Sequence, residues 1–115
     1  MVGNPTLGYG WNVSASPISQ DEAFTILVNR IMIAAGEAAS LVPNWALLDD
    51  VRQGVLIDMC FNMGKPALSR FKRMLAAANA RDYATWALQM RKSAWWGQVG
   101  ERGPLLERRV LTGEP

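Results

Sequence analysis

LLDDVRQGVLIDMCFNMG, residues 47–64, decides the fold. Val51, Val55, Leu56, Met59, Cys60 and Met63 recur at three- and four-residue steps, and Ile57 and Phe61 widen that stripe until nearly every side is apolar. A helix that is apolar nearly all round belongs in the middle of a helical bundle. Asp49 and Asp50 stand at its start, where a capping oxygen and a favourable dipole contact are wanted, and Gly64 stands where a left-handed cap would end it. A central helix of about four turns follows.

Outward from this helix, the flanks also read as helical. Ser19 and Glu22 form a capping box with Ile18 as its hydrophobic staple, and Phe24, Leu27, Ile31, Ala34 and Ala35 keep helical spacing. A long helix is therefore expected over 19–42, closed by Pro43, with a short helical turn from Pro43 to Leu48. After Gly64, Lys65-Pro66 opens a new element with Leu68, Phe71 and Leu75 as its stripe. Asp82 should cap the next helix, whose inward face is assigned to Trp86, Leu88 and Met90. The glycines at 97, 100 and 103 then break the chain before a final arginine-rich helix to Gly113. The opening GNPTLGYGWNVSASP, with Thr6, Leu7, Tyr9 and Trp11 between glycines, reads as a short twisted hairpin over 1–17 that must pack on something larger. The expectation is a mainly α fold of α+β type in a single domain over 1–115: hairpin 1–17, long helix 19–42 and helical lobe 43–115.

Composition narrows the chemistry. The 115 residues are 50% hydrophobic and 19% charged, which suits one folded core. The absence of histidine excludes imidazole catalysis, and the single Cys60 can neither form an internal disulfide nor join a zinc cluster, so no metal and no cofactor are expected. Residues 1–64 hold Arg30 and Arg52 against six acids, whereas residues 65–115 hold ten bases against four. That basic half suits an anionic partner such as a wall polymer, nucleic acid or membrane surface, or an ordinary solvated face. Nucleic acid falls behind because the bases are interleaved with core positions and no recognition motif is present. Asn29, Arg30, Gly36 and Glu37 interrupt the apolar stretch 24–42, so membrane insertion is not expected, and no signal peptide is seen after Met1. The chain is expected to be made in the cytoplasm.

Most carboxylates have structural explanations: Asp21 and Glu22 in a first helical turn, Asp49 and Asp50 likewise, Asp82 as a cap, and Glu107 facing solvent. Asp58 does not, since it sits mid-helix among Ile57, Met59 and Cys60, where a lone charge is costly and an arginine partner is wanted.

LDDVRQGVLIDMCFNMG, then SRFKRMLAAANARDYATWALQMRKSAWW, then an arginine-rich helix closing in LTG, together resemble the C-terminal lobe of the T-even bacteriophage type of lysozyme. PTLGYGWN resembles that family's hairpin, Thr-Ile-Gly-(Tyr/Ile)-Gly-His, and PISQDEA the start of its long interlobe helix; Trp11 stands where the histidine is usual. The resemblance spans essentially the whole chain. It implies a muramidase acting on the β-1,4 link of the peptidoglycan glycan strand, at the cell wall after release from the cytoplasm. It also implies a glutamic acid that protonates the leaving oxygen, and an aspartate acting with the hairpin threonine. Thr6 matches that threonine. The glutamate and the aspartate belong upstream of Gly3, where this chain has only Met1 and Val2, so the chain by itself is expected to lack substantial activity.

By the same resemblance Asn12, Phe61, Asn62 and Gln89 are substrate-binding positions, and Asp58 should pair with Arg102. Phe61 as core and Asp58 bound to another base or to water are the competing assignments, and Trp95-Trp96 reads as core in preference to a sugar-stacking platform. Loss of the family's N-terminal helix would uncover apolar parts of the central and final helices, which a homo-oligomer would cover. The competing function is a non-catalytic remnant that binds wall glycan or a protein.

Overall fold

The computed structural model describes residues 19–115, so the hairpin expected over 1–17 lies outside the described residues. The chain divides into two compact units, Met1–Met32 and Ile33–Pro115. Among the described residues there are seven α-helices and no strand: α1 (Gln20–Ser40), α2 (Asp50–Met63), α3 (Lys65–Leu68), α4 (Lys72–Ala80), α5 (Tyr83–Arg91), α6 (Ala94–Gln98) and α7 (Arg102–Thr112).

In the N-terminal unit the capping box forms at Ser19. Its N–H donates to Glu22 Oε1 at 2.9 Å and its hydroxyl accepts the Glu22 N–H at 3.1 Å. Those backbone and hydroxyl contacts hold the Glu22 carboxyl below its ordinary range. Phe24, Ile26, Ile31 and Met32 are exposed. The 21 residues of α1 reach a mean hydropathy of 1.2 in an 18-residue window, long and apolar enough by composition to cross a membrane. Arg30 near the middle of α1 opposes such a placement by about 2.5–3.5 kcal/mol at a bilayer centre.

The second unit is built round α2, as its apolar circumference requires. Val55, Leu56, Met59 and Cys60 are buried, with Ala34, Ala38 and Val42 also in the core. Small residues on that α1 stripe permit close helix approach, and the Cys60 thiol reaches Glu37 Oε1 at 3.8 Å. Burial, and then Glu37, push the Cys60 thiol above its ordinary value. Asp49 caps α2 by accepting the Arg52 N–H at 2.9 Å. Gly64 ends α2 with φ 86° and ψ 157°, positive as expected but more extended than a left-handed helical cap. A single 3-10 turn, Trp45–Leu47, joins α1 to α2, and the Asn44 N–H ties it to Asn79 Oδ1 on α4 at 2.7 Å.

α4 and α5 form a hairpin across Arg81, whose φ of 56° makes it the one non-glycine left-handed residue among those described. Asp82 caps α5 through the Thr85 N–H at 3.2 Å, and hydrogen bonds from Thr85 hold its carboxyl below the usual range. The inward face of α5 is Trp86, Ala87 and Met90, whereas Leu88 is 50% exposed. The assignment of Leu88 to the core thus fails: spacing from Trp86 to Met90 is one helical turn, and a residue two steps from either lies on the opposite side. Trp95 is buried and Trp96 half-buried. Gly103 lets α7 approach the Trp96 ring, since a Cβ there would lie 2.9 Å from Cε3.

α7 packs on α2 and α5 through buried Leu106 and Val110. Its C-terminal end is held from α2 by Arg52, which donates Nε to Val110 O at 2.7 Å and lies with its guanidinium carbon 3.5 Å from the Tyr83 ring centroid. Glu107 does not face solvent. Its side chain is only 13% exposed and accepts both Nε and Nη2 of Arg91, at 2.9 and 2.7 Å. A basic helix passing beside the arginine at the end of α5 needs a carboxylate at the contact.

Candidate functional site

Asp58, Asn62 and Arg102 come together at the exposed C-terminal part of α2. Asp58 and Asn62 are four residues apart, hence on one face, and Asp58 is kept from the core because Met59 and Cys60 turn inward. Arg102 opens α7 and places Nη1 2.9 Å from both Asp58 oxygens. Asn62 Nδ2 donates to Asp58 Oδ1 at 2.9 Å and to the Asp58 carbonyl at 2.8 Å. The side chains of Asp58 and Arg102 are 25% and 46% exposed, so the pair faces a wet surface and is not a sealed core bridge.

Among the described residues, Asp58 takes the amide N–H side of Asn62, no partner meets Asn62 Oδ1, and Arg102 uses only Nη1, with Nε and Nη2 left as donors. Fixed acceptor and donor beside half-buried Phe61 make a surface suited to polar, ring-shaped ligands. Phe61 also packs against the core, so its role as core and its position beside Asn62 coexist.

Gln89 is not part of this trio. It lines a separate groove of about 710 Å³ with Phe71, Met74 and Trp95 on its floor and Arg70, Lys72 and Arg73 among its walls. Thr6 and Asn12 lie outside the described residues. The groove cations were missed from sequence; three bases in the four residues 70–73, interrupted by one phenylalanine, were the available signal. Arg52 was missed as well, because its partners are backbone carbonyls 58 and 59 residues away.

All ten carboxylates of the chain fall among the described residues. Glu22, Asp49 and Asp82 cap helices, Asp58 and Glu107 hold arginines, and Glu37 meets Cys60. Burial pushes the Asp49 carboxyl up, but the Arg52 N–H and guanidinium outweigh it and the net displacement is downward. The carboxylates that depart clearly from their ordinary values, Glu22, Asp49 and Asp82, all move down, the direction opposite to that of a general acid. Among the described residues no group of three or more metal-ligating side chains occurs.

The helical lobe carries an arginine-fixed acid–amide pair on the C-terminal part of α2 and a groove along α4, α5 and α6, with six of its ten carboxylates engaged as caps, counter-ions or a thiol contact. Its sequence matches the family described as Phage lysozyme over residues 1–111, and the chain belongs to that family of peptidoglycan-hydrolysing lysozymes.

Proposed function

We propose that this chain is the glycan-holding lobe of a lysozyme that hydrolyses the β-1,4 links of peptidoglycan, and that the 115 residues alone hold the strand without cutting it. The Asp58–Asn62–Arg102 arrangement carries the reading. An N-acetylated sugar offers an N–H to the open Asn62 oxygen and hydroxyl or carbonyl oxygens to the free Arg102 donors, with Phe61 as the apolar wall. Gln89 extends contact to the strand beyond that point, and Thr6 and Asn12 are assigned to the same substrate by family likeness.

Cleavage needs a carboxylic acid that stays protonated long enough to protonate the leaving oxygen, with a second carboxylate 5–10 Å away, roughly, across the sugar. Six of the ten carboxylates already serve as caps, counter-ions or a thiol contact, and those that depart clearly from their ordinary values are lowered and not raised, which supports placing that pair outside these ten residues. A positioned general acid is worth about 10² to 10⁴ in rate. The lysis expected from the chain in a turbidity-clearing assay on permeabilised bacteria is therefore at background. Robust clearing that disappears when one of the ten carboxylates is changed to its amide would refute the reading.

A further inference from the structure

We draw no further inference here: the strongest candidate, the exposed apolar face of α1 formed by Phe24, Ile31 and Met32, is an unpartnered helix face, and nothing in the structure shows what covers it.

Discussion

Replacing Arg52 by alanine should destabilise the helical unit more than any other single surface-to-core change at a charged residue. The side chain is 13% exposed, donates Nε to Val110 O at 2.7 Å, meets Asp49 Oδ2 at 2.8 Å and stacks on Tyr83. A hydrogen bond from a charged donor contributes about 1.5–3 kcal/mol. Stacking of a partly desolvated guanidinium on an aromatic ring adds about 0.5–2 kcal/mol. The Asp49 pair adds at most about 1 kcal/mol, since that carboxylate is 42% exposed. These contributions share one side chain and do not add fully, so the expected loss is about 3–4 kcal/mol. For a domain of this size that lowers the melting temperature by on the order of 12–16 °C. Urea unfolding followed by far-UV circular dichroism gives the free energy directly. Arg52→Lys keeps the charge but loses the fork, and should restore less than half of the loss. An Arg52→Ala protein within about 1 kcal/mol of the parent would refute the view that this residue fastens the end of α7 to α2 and α5.

Gly103→Ala should cost about 1–3 kcal/mol, since the new Cβ meets Trp96 Cε3 at 2.9 Å, and its near-ultraviolet dichroism should report the displaced indole. Arg102→Ala should change stability by less than about 1 kcal/mol, because the Asp58 pair is partly exposed, yet reduce N-acetylglucosamine oligomer binding in calorimetry. On acidification, Glu22, Asp49 and Asp82 bind protons more readily in the unfolded chain, because their folded values lie below 4.5, 3.8 and 3.8 respectively. Stability from these groups is present above the unfolded values and lost as pH falls through the folded ones, so unfolding curves should show a decline beginning near those values. Cys60 acts in the opposite direction. Its folded value is raised above 9.0, so stability should fall as pH rises beyond that point, and the folded protein should react slowly with a thiol reagent.

Local signals in the chain were read from neighbouring residues alone. Ser19 with Glu22, Asp49 before α2, and Asp82 before α5 each act through a backbone N–H three residues on, which is why their caps follow from spacing. The central position of α2 was equally legible, because a helix apolar on most sides has only one stable place in a bundle. Leu88 was misread because a residue type stood in for a helical angle. Glu107 was misread because its partner Arg91 is brought to it by the turn through α6, 16 residues of chain that no periodicity describes. Asp58 and its need for an arginine follow from its mid-helix setting, but the choice of Arg102 rests on family likeness, since the atoms that join them lie 44 residues apart in sequence. The groove needed the packing of α4 against α5 before its basic residues could be seen as one wall.

Holding without cutting has two separable readouts, retention on peptidoglycan through Asp58, Asn62 and Arg102 and the release of new reducing ends. Incubating the 115-residue chain with purified peptidoglycan, then measuring both sedimented protein and new reducing ends, tests both halves together. Co-sedimentation should weaken in Arg102→Ala and Asn62→Ala, with reducing ends at background. Reducing ends that accumulate with time and vanish on changing one carboxylate of this chain, or sedimentation indifferent to Arg102 and Asn62, would contradict it.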